Sequence, residues 1–236
     1  DSGAGYIAQI EKKAAEIGVG KIASVMGRFY AMDRDSRWDR VQKAYECLRV
    51  GKGLKAKSAA EAITASYAKQ GTDEFIEPTA IVNEDNEPIG TIADGDGVVF
   101  FNFRGDRTRE ITRAFVQPDF KEFPRNTKPD IYYVCMTEYD TTIPAPVAFL
   151  KPPKMKNILA AYWGSLGLKQ FRCAETEKYA HVTVFFNDYT EKPFAGEDRQ
   201  IVPSPRVRTY DLKPEMSAYE VAAVVLQRLD TNQYDA

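Results

Sequence analysis

At 236 residues, 44% hydrophobic and 28% charged, the chain has the size and make-up of one large or two small globular domains, which excludes disordered, collagen-like and coiled-coil classes. Thirty-two Lys and Arg against 34 Asp and Glu leave a net charge of -2, so the broad basic field needed for non-specific nucleic-acid binding is absent and no nucleic-acid partner is expected. The longest apolar runs, Val98–Phe101 and Val221–Leu226, fall far short of the roughly 20 residues that cross a bilayer, so no membrane span is expected either.

The first helical signal is Ile7, Ile10, Ala14 and Ile17, with Gly18 and Gly20 as stops. Residues 21–26 read as a short buried strand. Trp38, Val41, Ala44, Tyr45 and Leu48 form an apolar helical stripe, with Asp35 or Ser36 as its N-cap. Ser58 and Glu61 make a capping box for a third helix that stops at Gly71. Residues 73–97 read as loops with short strands such as Ala80–Val82, with Gly95-Asp96-Gly97 as a turn. Val98–Phe103 is the clearest strand, and Asp106 or Thr108 is placed to cap a helix through Ile111, Ala114 and Phe115. A strand over 131–136 follows, with Tyr132 and Tyr133 as strand residues. A proline-rich stretch (Pro144, Pro146, Pro152, Pro153) then suggests a domain boundary near residue 150. Beyond it the sequence predicts a helix over 158–168, a strand over 182–186, a polar loop to Arg208, and a helix over 217–229 capped by Ser217 and Glu220. The alternation of elements is the α/β pattern.

Three cysteines, Cys47, Cys135 and Cys173, have no C-x-x-C spacing and read as reduced, mostly buried thiols of a cytoplasmic protein. With one histidine, His181, expected to be structural and hydrogen-bonded, and no ligand-spaced cluster, the chain alone is a poor metalloenzyme. The opening Asp1-Ser2-Gly3-Ala4-Gly5 is neither a native start nor a signal peptide, so something is expected to precede it.

In open α/β sheets ligands bind beyond the carboxyl ends of strands. Two predicted strand ends each deliver a pair of arginines: Arg28 and Arg34 after the first, Arg104 and Arg107 after the second. Guanidinium forks bind phosphate or carboxylate bidentately, and the second pair also precedes a helix start, where free N–H groups favour anions. A small phosphorylated or carboxylated ligand fits. Ordinary pairing with the neighbouring acids Asp33, Asp35 and Asp106 is the competing explanation.

As whole strings, four segments resemble the cofactor-independent phosphoglycerate mutases. They are Gly27-Arg-Phe-Tyr-Ala-Met-Asp-Arg-Asp-Ser-Arg-Trp-Asp-Arg-Val41, Val98-Val-Phe-Phe-Asn-Phe-Arg-Gly-Asp-Arg107, Ala174-Glu-Thr-Glu-Lys-Tyr-Ala-His-Val182 and Ser204-Pro-Arg-Val-Arg-Thr-Tyr-Asp-Leu-Lys-Pro-Glu-Met-Ser217. The resemblance implies an α/β substrate-binding domain over 1–150, inserted in an alkaline-phosphatase-like α/β domain whose part here is 151–236. It implies an isomerase of glycolysis and gluconeogenesis that interconverts 3-phosphoglycerate and 2-phosphoglycerate through a phosphoserine. Arg28, Arg34, Arg104 and Arg107 would hold the substrate, and Lys178 would be a catalytic residue near the transferring phosphoryl group. The resemblance further implies two Mn2+ ions, no 2,3-bisphosphoglycerate cofactor, a cytoplasmic setting and a monomer. The family's serine nucleophile and first metal ligands would precede Asp1 and the later ligands would follow Ala236. The chain is thus expected to be an internal piece, without metal ligands of its own and inactive alone. Gly105 and Asn187-Asp188-Tyr189 depart from the family's usual residues. A non-catalytic anion-binding module, or a phosphatase or phosphopentomutase of the same superfamily, is the alternative.

Overall fold

The expected alternation of helices and strands is realised as an α/β architecture in the computed structural model, which describes residues 2–125, 128–150 and 152–236. The chain divides into two units, Asp1–Lys151 and Pro152–Ala236.

The first unit opens with α1 (Gly3–Ile17), stopped at Gly18, whose φ of 81° is open to a residue without a Cβ. Its apolar stripe is only half used: Ile7 packs on the core while Tyr6, Ile10 and Ile17 stay exposed. The expected strand over 21–26 shrinks to β1 (Ser24–Val25), and α2 (Arg28–Ala31) is a single helical turn not anticipated from the sequence. The stripe of α3 (Trp38–Val50) buries Val41, Ala44, Tyr45 and Cys47. Neither Asp35 nor Ser36 caps it: the cap position is Arg37, Ser36 sits at φ 56°, and Asp33 takes the amides of Asp35 and Arg37. The cap of α4 (Ala59–Gln70) forms as expected, with Ser58 Oγ accepting Glu61 N–H at 3.1 Å, and the helix ends at Gly71. With β2 (Leu54–Ala56) and β3 (Thr79–Ile81), the first sheet runs β1-β3-β2, β3 being antiparallel to β1 and parallel to β2.

A second, parallel sheet has the order β4-β5-β6, from β4 (Gly97–Phe100), β5 (Tyr132–Thr137) and β6 (Val147–Phe149). The first of these strands ends at Phe100 rather than at Phe103, and the last lies unannounced within the proline-rich stretch. One face of this sheet packs with α5 (Arg109–Val116), where Ile111, Ala114 and Phe115 join Tyr133, Cys135 and Tyr139. The same core takes in Val41, Ala44 and Tyr45 of α3, with the Phe115 ring 4.7 Å from that of Tyr45. By sharing a core, α3 and α5 bring the segment after β1 beside the segment after β4. On the other face Val99, Phe101 and Tyr132 are exposed.

In the second unit, α6 (Leu159–Ser165) is shorter than expected, and β7 (Gln170–Glu175) and β8 (Glu197–Val202) form a parallel pair where no strand was foreseen. The strand expected over 182–186 is not one. There, α7 (Thr176–Ala180) runs on into a π-helical turn, His181–Phe185. Thr183 Oγ1 donates to Tyr179 O at 2.7 Å and Asn187 N–H to Thr183 O at 2.9 Å, so local backbone bonding overrides the β-branched composition. The last helix, α8 (Ala218–Leu229), has Ser217 at its cap position, but the Ser217 hydroxyl donates to Pro203 O at 2.7 Å and no capping box forms. All three cysteines are free; Cys47 and Cys135 are buried, and burial pushes both thiols up to about 11. Among the described residues no helix is long and apolar enough to cross a membrane.

Gly27, at the entrance to α2, gives its N–H to Ile76 O at 2.8 Å, and a Cβ there would meet Glu74 O at 2.2 Å. Gly27→Ala is therefore expected to destabilise the chain by about 1–3 kcal/mol in urea unfolding, as overpacking does. Gly5→Ala, in open space on α1, should instead stabilise by about 0.5–1 kcal/mol.

Candidate functional site

Three of the four candidate arginines meet where the segments after α2 and β4 come together. Arg34 Nη1 lies 2.7 Å from Asp106 Oδ2, while Arg104 grips the same carboxylate with Nε at 2.6 Å and Nη2 at 3.0 Å. Arg107 Nη1 donates to Met32 O at 2.9 Å, tying the second pair to the chain that carries the first. The side chain of Asp106 is 4% exposed, that of Arg34 14% and that of Arg104 59%. Arg34 is thus a buried strut, whereas Arg104 turns the rest of its guanidinium to solvent. Burial alone would raise the Asp106 carboxyl, but hydrogen bonds from Arg104 and Arg34 outweigh it and hold the group below the usual carboxylate range. Of the two residues expected to cap α5, Thr108 rather than Asp106 takes the cap position, although its hydroxyl donates to Gly105 O at 3.0 Å instead of accepting an amide of the helix.

Arg28 is placed differently, on the first turn after Gly27, with Nη2 3.0 Å from Glu74 Oε2 and both side chains well exposed. Pairing with nearby acids, the competing explanation from the sequence, is therefore present throughout: Arg37 with Asp35 and Arg40 with Asp33 follow the same pattern. Of the four candidates, Arg104 and Arg28 keep exposed side chains, Arg104 on a buried ionic foundation and Arg28 in a separate, exposed pair. A groove of about 650 Å³ beneath α1, lined by residues such as Ile10, Ala14, Ile22 and Ile81, contains none of these arginines.

In the second unit Lys178 is exposed on α7, and the start of that helix is held by Ser204. Ser204 Oγ accepts Glu177 N–H at 3.1 Å and donates to Glu175 Oε2 at 3.1 Å, and Ser204 N–H reaches Thr176 Oγ1 at 3.2 Å. Sequence reasoning missed Ser204 and Glu74 as partners; the Ser-Pro opening of the last string was the available signal for the former. His181, expected to be hydrogen-bonded ahead of a strand, is exposed and meets the Phe185 ring edge-on at 5.4 Å. Among the described residues no group of three or more His, Cys, Asp or Glu is placed to hold a metal ion.

Each unit thus joins two of the four sequence strings in space, one pair at Asp106 and the other at Ser204. Residues 1–141 match the family model described as "BPG-independent PGAM N-terminus (iPGM_N)". The chain belongs to this family. It is 55% identical over 235 residues to the 2,3-bisphosphoglycerate-independent phosphoglycerate mutase of Moorella thermoacetica, covering 99% of this chain and 45% of that protein. The protein of the same name from Myxococcus xanthus is also 55% identical, covering 99% of this chain and 46% of its own length. A crystal structure of Leishmania mexicana phosphoglycerate mutase, determined at low cobalt concentration, matches with a TM-score of 0.92 at 34% identity, over 99% of this chain and 44% of that one. The chain therefore spans about half the length of the phosphoglycerate mutases it matches.

Asp106→Asn should cost about 3 kcal/mol at neutral pH, the scale for removing one partner from a buried ion pair. Because the folded Asp106 carboxyl is depressed, its contribution is present above the ordinary aspartate range, about 3.9, and lost as pH falls through the lower folded value. Urea unfolding followed from about pH 5 down to about pH 2 should show this acid-dependent component in the unaltered chain and lack it in Asp106→Asn.

Proposed function

We propose that this chain supplies the substrate clamp and an active-site lysine of a phosphoglycerate mutase, an isomerase that moves a phosphoryl group between the two hydroxyl oxygens of glycerate. The observation that carries this reading is the meeting of Arg34, Arg104 and Arg107 at one junction in a chain of the BPG-independent phosphoglycerate mutase family. On this reading the first unit is the substrate-binding domain and the second is part of an alkaline-phosphatase-like domain.

The clamp answers a physical requirement. A nucleophile that takes the phosphoryl group from 3-phosphoglycerate leaves glycerate behind, and unless glycerate is retained the result is hydrolysis rather than isomerisation. Arg104 and Arg28, both exposed, are suited to bind carboxylate or phosphate oxygens; Arg34 and Asp106 hold Arg104 in place. Lys178 would put positive charge where the transferring phosphoryl group accumulates negative charge. Manganese ions would assist by polarising phosphoryl oxygens. Among the described residues no group of three or more His, Cys, Asp or Glu is placed to hold them, and the reading gives this chain neither their ligands nor the nucleophile. The BPG-independent family supports a reaction without 2,3-bisphosphoglycerate, and the free, buried Cys47 and Cys135 thiols support a cytoplasmic setting.

Calorimetric titration of 3-phosphoglycerate into this chain tests the clamp. Replacing both Arg104 and Arg107 with Ala is expected to weaken binding by about 2–4 kcal/mol, the scale of charge-assisted hydrogen bonds to an anion. An unchanged affinity would remove these arginines from the site. In a full-length protein containing this chain, Lys178→Ala is expected to lower kcat far more than it raises KM; a change confined to KM would make Lys178 a binding residue instead.

A further inference from the structure

Beneath the arginine junction lie two buried carboxyl groups that the proposed function leaves without a task. Asp33 and Glu110, 5% and 8% exposed, both face the loop 33–37. Asp33 Oδ2 accepts the amides of Asp35 at 3.0 Å and Arg37 at 2.8 Å; Glu110 Oε1 accepts that of Ser36 at 3.0 Å. Three successive amides thus point at two carboxyls, and the left-handed φ of 56° at Ser36 is what curls the loop into this anion-binding nest.

The two acids differ in their surroundings. Arg40 Nη1 comes within 3.6 Å of Asp33 Oδ1, and its guanidinium is itself held over the Phe29 ring at 3.7 Å. Glu110 Oε2, in contrast, is buried with no N–H donor bonded to it among the described residues, and Glu110 faces the Asp33 carboxyl. Of the other charged groups of the loop, Arg34 pairs with Asp106 at 2.7 Å and Arg37 with Asp35 at 3.2 Å. Two neighbouring buried carboxyls cannot both be charged at modest cost, and a single proton removes the conflict. Burial first, and then the charge of Asp33, raise Glu110 well above the ordinary carboxylate range.

Glu110 lies four residues beyond Asp106, so the loop is fastened to one segment at two points, by Arg34 to Asp106 and by Ser36 N–H to Glu110. We infer that Asp33 and Glu110 are positioning residues for the arginine clamp, Asp33 as the carboxylate and Glu110 as the neutral acid, which together fix the loop from which Arg34 reaches Asp106. The inference rests on the proposed function for its ligand, whereas its loop geometry stands independently.

Two measurements on this chain test it: amide hydrogen exchange at Asp35, Ser36 and Arg37 by NMR, and the affinity for 3-phosphoglycerate. Glu110→Ala is expected to speed exchange at Ser36 and weaken affinity by about tenfold each, the scale of one buried hydrogen bond left unmade. Glu110→Gln keeps an uncharged oxygen for the Ser36 amide and is expected to rescue both to within about twofold. Asp33→Asn removes the charge facing Arg40 and is expected to speed exchange at Asp35 and Arg37 and to weaken affinity about tenfold. Glu110→Gln as damaging as Glu110→Ala would overturn the neutral assignment; Asp33→Asn as mild as Glu110→Gln would overturn the carboxylate one. Unchanged Ser36 exchange in Glu110→Ala would overturn the fastening itself. If Glu110→Ala does not fold, the contrast between Glu110→Gln and Asp33→Asn decides. If the unaltered chain binds no 3-phosphoglycerate, the substrate reading fails for this chain, while the exchange pattern still decides the role of the two acids.

Discussion

A carboxylate almost entirely out of water stays charged only where cations hold it, and in this chain that condition falls on Asp106. Arg34 and Arg104 meet it from two different stretches of sequence, so the segment after β4 is not free to leave the segment after α2. The hydrophobic contribution works in the same direction. Phe115 on α5 and Tyr45 on α3 occupy one core, which sets the two segments near each other, and the ion pairs then select one register. Buried ion pairs add little net stability over apolar replacements, and what they supply here is geometry.

That geometry bears on ligand capture. A free arginine carries roughly 2 kcal/mol of rotamer entropy, which binding an anion would have to overcome. Arg104 is held at Nε and Nη2 before any ligand arrives, so much of that ordering accompanies folding, and the opposite edge of the guanidinium is left to solvent. Arg28 and Glu74 form a looser version of the same device, with both partners well exposed.

Periodicity and punctuation made much of the first unit legible in the sequence. The stripe of α3, the capping box of α4 and the stops at Gly18 and Gly71 correspond to what forms. The placing of arginines beyond strand ends also pointed to Arg34, Arg104 and Arg107, although β1 and β4 belong to different sheets and it is the core shared by α3 and α5 that brings the segments after them together. Caps were less readable: a Ser hydroxyl or Asp carboxylate is drawn to whichever partner the fold brings nearest, and for Asp35, Asp106 and Ser217 that was not the expected helix start. The second unit misled for a different reason. Its strands β7 and β8 are rich in charge because Glu197 and Arg199 neutralise each other at 2.6 Å, while Arg172 stacks over Phe186 at 4.1 Å. The apolar Val-Thr-Val-Phe run, which looks like a strand, was claimed by a π-helical turn. Glu110 was hidden because nothing local marks a helix glutamate as the one turned inward.

The uncovered face of the second sheet sets how the isolated chain behaves as a colloid. Val99, Phe101 and Tyr132 leave apolar surface exposed, while a net charge of -2 on 236 residues provides little long-range repulsion between molecules. Short-range attraction is therefore opposed mainly by hydration of the surrounding polar residues. In concentrated solution, and more so where salt screens the few unbalanced charges, this face is one of the exposed apolar surfaces through which molecules of this chain would adhere to one another.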